Sequence, residues 1–136
     1  MNTDDDILAA AREGFLEEAR DTLVQFEQAL LAVEDDPADA EALNSAFRAA
    51  HTLKGGAGLF GYDAVVLFTH EVESVLDLMR EGRLPLTPEG MALLLQSRDQ
   101  MDRLVAEVGS SQPDPDTAEL SQALGRQLRA LMGDKA

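Results

Sequence analysis

Few residues in this chain can do chemistry. It has two histidines and no cysteine. His51 stands in the run Ala49-Ala50-His51-Thr52-Leu53-Lys54-Gly55-Gly56-Ala57-Gly58-Leu59-Phe60-Gly61, and His70 in Thr69-His70-Glu71-Val72-Glu73. A neutral imidazole attacks through its unprotonated ring nitrogen. A carboxylate that accepts the proton of the other nitrogen fixes the tautomer and favours the imidazolium that forms during attack. His51 reads as such a nucleophile on a helix surface. Glu73, which shares a helix face with His70, is the candidate carboxylate. Lys54, one turn beyond His51, is placed to balance Glu73 or to steady an incoming phosphoryl group.

The glycines fit this reading. At 100° per residue, Leu43, Ala46, Phe47, Ala50, Leu53 and Ala57 fall in one arc that faces a core. His51 lies at the rim of the arc, and Gly55 and Gly58 fall on its side. Each mid-helix glycine weakens the helix by roughly 1 kcal/mol relative to alanine. Close approach of another molecule is the gain that offsets it. A helix C-terminus explains one glycine, but not Gly55, Gly56, Gly58 and Gly61 together.

Other chemistries are excluded. Gly56-Ala57-Gly58-Leu59-Phe60-Gly61 matches the dinucleotide fingerprint, but that motif must follow a strand and open a helix, and no strand pattern appears. Lys54 precedes its glycines, whereas a phosphate-binding loop needs them before the lysine. The chain therefore reads as lacking a nucleotide site of its own. Carboxylate-bridged metal bundles need Glu-x-x-His on two helices. Here only the reversed His70-x-x-Glu73 occurs, so no metal site is expected. Nothing is arranged for acyl transfer.

The elements that must hold these residues are helices. The 136 residues suit one domain, 1–136, and 45% hydrophobic content suffices for a core. The net charge of −15 argues against nucleic acid and anionic membranes. No apolar run approaches the ~20 residues of a membrane span. The absence of cysteine and of a signal sequence fits a cytoplasmic protein. Nine of the eleven basic residues are Arg, which singles out Lys54.

The periodicity predicts helices over about 3–34, 37–58, 63–81, 88–108 and 117–132. Leu8, Phe15, Ala19, Leu23, Phe26, Leu30 and Val33 form the apolar face of the first. Asp36-Pro37 is expected to open the second, with Pro37 in its first turn. Asp63 is expected to cap the third, which buries Val65, Phe68, Val72, Val75, Leu76 and Met79. Thr87 caps the fourth, with Met91, Leu94, Leu95, Arg98, Met101, Val105 and Val108 on its face. The fifth shows Leu120, Leu124, Leu128 and Leu131, and the stretch after Met132 reads as a frayed end or a cut from a longer chain. All five prolines fall at boundaries. The fold class is all-α: an antiparallel four-helix bundle with an additional fifth C-terminal helix. The tight turn between helices two and three packs them side by side, bringing a carboxylate of helix three to His51.

The segment Phe47 to Gly61 resembles the phosphorylation-site segment of histidine phosphotransfer (HPt) domains. More narrowly, it is similar to the N-terminal phosphotransfer domain of the CheA family of chemotaxis histidine kinases, and Thr69 to Glu73 resembles that family's third-helix motif. The resemblance implies that His51 accepts the γ-phosphoryl of ATP, through Nε2, from a kinase catalytic domain elsewhere, usually on the other subunit of a dimer. ATP and Mg would belong to that kinase domain. Glu73 would hold the Nδ1 proton, with Lys54 and His70 completing the hydrogen-bond network. The phosphoryl group would pass to an aspartate of a receiver domain such as CheY or CheB. Partner docking would fall to Asn44, Arg48, Thr52, Gly55 and Gly58. Thr52 and Leu53 depart conservatively from the family pattern. The alternatives are a carrier of another phosphorelay and a non-catalytic interaction bundle.

Overall fold

The computed structural model describes residues 3–135, and the remaining ends of the expected 1–136 unit lie outside the described residues. Five α-helices follow one another: α1 Thr3–Asp35, α2 Ala40–Leu59, α3 Asp63–Arg80, α4 Pro88–Ala106 and α5 Pro115–Met132, closed by a single 3-10 turn at Gly133–Lys135. α2 packs between α1 and α3, α4 closes the ring between α3 and α1, and α5 lies against α3 and α4. The interior is built from Leu23, Phe26 and Leu30 of α1, Leu76 of α3, and Leu94 and Met101 of α4, all essentially sealed from solvent. Buried area of this kind is the dominant stabilising term.

The turns that set the register of the site are made by glycine. α2 ends where Gly61 takes φ +72°, with Tyr62 N–H bonding Ala57 O at 3.0 Å and Gly61 N–H bonding Gly58 O at 3.2 Å. α3 ends the same way at Gly82, φ +76°, with Arg83 N–H bonding Leu78 O at 2.9 Å. Both are the left-handed closures that only glycine makes without a Cβ penalty. The α2–α3 turn is therefore short, and the two helices run back on each other.

Several boundaries differ from the sequence expectation. α2 starts at Ala40, not at Pro37. Asp39 is its cap and accepts from Ala42 N–H at 3.0 Å, while Asp36 accepts from Ala38 N–H at 3.1 Å and forms the turn that holds Pro37. Two aspartates three apart can each cap a backbone turn, and the chain uses both. Asp63 is the first helical residue of α3. The cap position falls to Tyr62, whose side chain makes no capping bond. α5 begins at Pro115 behind the cap Asp114, two residues earlier than its periodicity suggests. Leu8, expected in the core, is 66% exposed, because α1 outruns its neighbours. The Phe15 ring already meets Phe60 at 5.6 Å and Tyr62 at 5.1 Å at the end of α2, so little stands opposite the first turns. Leu120 is likewise largely on the surface.

Candidate functional site

The seam between α2 and α3 carries the site. His51 projects from the middle of α2 with its side chain 64% exposed, while Glu73, on the facing wall of α3, is only 13% exposed. Nδ1 of His51 lies 2.9 Å from Glu73 Oε2. An ionised carboxylate can only accept, so in the neutral ring the proton resides on Nδ1 and the lone pair on Nε2. Among the described residues nothing bonds Nε2. Lys54 donates from Nζ to the other carboxylate oxygen, Glu73 Oε1, at 2.8 Å. One carboxylate thus serves two cationic or proton-bearing partners on one face of α2, the three-residue spacing having placed His51 and Lys54 about a turn apart.

The electrostatics follow from that sharing. Burial by itself pushes the Glu73 carboxyl up; the Lys54 and His51 hydrogen bonds and the charge of Lys54 together outweigh it and hold the group below its ordinary value. Glu73 is therefore a committed anion at neutral pH, able to stabilise positive charge as it develops on the ring.

The remaining predicted residues divide. Gly55 and Gly58 are exposed, and a Cβ at either would meet nothing within 4 Å. Gly56 instead faces inward, where a Cβ would lie 3.5 Å from the Phe15 ring. The strip running from His51 toward the C-terminal end of α2 is therefore flat and unfilled. Thr52 is exposed and Asn44 half-buried on the same helix. Arg48 is exposed but engaged, donating to Glu41 Oε1 at 2.9 Å and to Ser45 Oγ at 3.3 Å. His70 does not join the network. Its imidazole is exposed and has no hydrogen bond among the described residues, because three residues before Glu73 lies about 60° around α3, toward solvent.

Two residues escaped the sequence reading. Phe47 stands with its ring 12° from parallel to the His51 ring, centroids 6.2 Å apart. Arg80 places its Cζ 4.0 Å from the Phe47 centroid. The signals were there. Phe47 is four residues before His51, and Arg80 is two turns after Glu73, but helical periodicity counts Phe47 in the core stripe. A shared apolar and functional role is invisible to a hydrophobic count.

Such an arrangement makes one imidazole nitrogen a solvent-facing nucleophile. Among the described residues no cluster of three or more metal-ligating side chains exists. A family model described as the Hpt domain matches residues 10–111. The chemotaxis protein CheA of Cereibacter sphaeroides is 37% identical over a 125-residue alignment that covers 85% of this chain and 18% of that protein. The chain spans less than a fifth of the length of the curated CheA proteins it resembles. The CheA phosphotransferase domain from Thermotoga maritima superposes with a TM-score of 0.68 at 32% identity, covering 73% of this chain and 94% of that one. The phosphorylated P1 domain of CheA3 in complex with CheY6 from R. sphaeroides gives 0.78 at 27% identity, covering 89% and 94%. With the matched stretch, residues 10–111, enclosing both helices that carry His51 and Glu73, the chain belongs to the Hpt domain family.

Proposed function

We propose that this chain is the phosphotransfer unit of a chemotaxis two-component kinase, with His51 as the residue that is phosphorylated. The observation that carries this reading is the 2.9 Å bond between His51 Nδ1 and Glu73, which leaves Nε2 free and facing solvent. In the first step the Nε2 lone pair forms an N–P bond to the γ-phosphorus of ATP, and the P–O bond to the ADP leaving oxygen breaks. The Nδ1 proton stays on the ring, and the positive charge that appears there is met by Glu73. Lys54 holds Glu73 from its other oxygen and stands one turn from the incoming phosphoryl group. In the second step a receiver aspartate oxygen forms the new O–P bond, and the N–P pair returns to Nε2.

ATP and Mg²⁺ are bound by a kinase catalytic domain, acting in trans within a dimer. The receiver is of the CheY or CheB kind. A solved relative carrying a phosphate and bound to CheY6 supports that class of partner. Docking uses the strip of Asn44, Arg48, Thr52, Gly55 and Gly58, whose glycines leave room for a partner surface. Among the described residues no helix is long and apolar enough to cross a membrane, and the proposed site of action is the cytoplasm. The test is incubation with ATP, Mg²⁺ and a CheA-type catalytic fragment, followed by mapping of the labelled residue. Acid-labile phosphate on His51, lost in a folded His51→Gln variant, is the expected result. Label on His70 would move the acceptor to that histidine, and no label at all would favour an interaction bundle.

A further inference from the structure

One hydrogen bond does not fix an imidazole. The contact to Glu73 pins Nδ1, yet the ring can pivot about that bond. The Nε2 lone pair lies in the ring plane and pivots with it. A second contact is needed to set the plane, and the only aromatic ring paired with His51 among the described residues is Phe47. The centroid separation of 6.2 Å and the 12° interplanar angle fall in the offset-stacked range. Phe47 is half-buried against the core, and Arg80 reaches across from α3 to lie 4.0 Å from its ring centroid. Arg80 is in turn held by Asp77, with Nη2 donating to Oδ1 at 2.6 Å. At the opposite position, one turn after His51, Gly55 offers no wall. The ring is thus braced on one side and open on the other.

We propose that Phe47 and Arg80 form a clamp that sets the plane of the His51 ring, making both positioning residues for phosphoryl transfer through Nε2. The proposal rests on the reading of His51 as the phospho-acceptor. In-line displacement at phosphorus needs the attacking lone pair aimed along the breaking P–O bond, and a ring free to pivot spends less time so aimed. Neither Phe47 nor Arg80 touches the reacting atoms. Arg80 also sits in the last turn of α3, where a cation is favourable for the helix alone, so the test must separate positioning from stability.

Initial rates with the catalytic fragment and ATP, taken against domain concentration, give kcat and KM for Phe47→Leu, Phe47→Tyr, Arg80→Gln and Arg80→Lys. The expected result is a fall in kcat of about three- to tenfold for Phe47→Leu and about threefold for Arg80→Gln, with KM little changed. Tyr and Lys, which keep the ring and the cation, recover most of the loss. The double variant Phe47→Leu with Arg80→Gln falls no further than Phe47→Leu, because Arg80 acts through the ring. In proton NMR the ring-current shift of the His51 ring protons disappears in Phe47→Leu and changes in Arg80→Gln. Wild-type labelling with unchanged kcat in both Arg80→Gln and Phe47→Leu, or a loss confined to KM, would overturn the clamp and leave the phosphotransfer reading standing. A wild-type domain that takes no phosphoryl group while the ring shifts behave as described would overturn that reading, and the role in transfer with it.

Discussion

Replacing Glu73 separates orientation from charge at the site. In Glu73→Ala the Nδ1 proton loses its acceptor and the developing imidazolium loses its counter-ion. A hydrogen bond to a charged group contributes ~1.5–3 kcal/mol. The His51 side chain is 64% exposed, so water takes over part of the lost contact and the lower half of that range applies. At about 1.4 kcal/mol per tenfold, phosphorylation should slow by roughly 10–40-fold. Glu73→Gln keeps an acceptor oxygen for Nδ1 but removes the charge, and its rate should fall between wild type and Ala. If orientation were everything Gln would match Glu; if charge were everything Gln would match Ala. The rate assay is single-turnover labelling by a kinase fragment, with helix content checked by circular dichroism. A second assay needs no kinase. Both histidines are exposed, so acylation by diethyl pyrocarbonate can be read at His51 with His70 as internal reference, and the ratio of His51 to His70 should fall in Glu73→Ala. Normal labelling of Glu73→Ala, within twofold of wild type, would remove Glu73 from the mechanism.

Gly55→Ala should stabilise the domain by ~0.5–1 kcal/mol, seen as a melting temperature raised by a few degrees, since its Cβ meets nothing and helix propensity improves. Gly55→Leu should also leave the fold intact in the same melting experiment yet lower kcat/KM for transfer to a receiver, whereas unchanged transfer would refute the open-strip argument. The pH dependence carries a sign: Glu73 is held below its ordinary value near 4.5, so the unfolded chain binds the proton more readily and the ion pairs stabilise the native state above that pH. Urea unfolding of wild type and Glu73→Gln should therefore converge as pH falls from 6 through 4.5 and below; a gap that widened on acidification would contradict the assignment. Gln100, 1% exposed, donates from Nε2 to Thr117 O and Ser121 Oγ, both at 2.8 Å. Gln100→Leu should lower unfolding free energy by ~1–3 kcal/mol by leaving Thr117 O and the Ser121 hydroxyl without that partner, while labelling of His51 proceeds at the wild-type rate.

The difference between what the sequence shows and what it hides has a physical basis here. The buried stripe of α3, from Val65 to Met79, is read correctly because one face of an antiparallel helix meets three neighbours along its whole length, so periodicity maps onto burial. The same rule fails for Leu8, whose spacing is as regular as that of Phe15, because periodicity carries no information about where the partner helix ends. Helix starts slip for a related reason. Asp36, Asp39, Asp63 and Asp114 are all competent caps or first-turn residues, and the choice among them is settled by tertiary packing. Polar contacts between α4 and α5, such as Gln100 with Thr117, leave no periodic trace at all. The juxtaposition of His51 and Glu73 was legible because a tight glycine turn leaves two consecutive helices few registers. Given Gly61 as the turn, the middle of α2 must face the middle of α3. The family resemblance places His70 in the network, yet a three-residue step on a helix is a rotation as well as a translation, and that rotation carries its ring to solvent. The register of the turn decides which titratable groups meet, and the helical angle decides which of those meetings becomes a bond. A one-residue insertion inside α3, between His70 and Glu73, would carry Glu73 about 100° further around the helix, away from α2. Without any change to His51, Lys54 or Glu73, such a chain should keep its helices and lose the site.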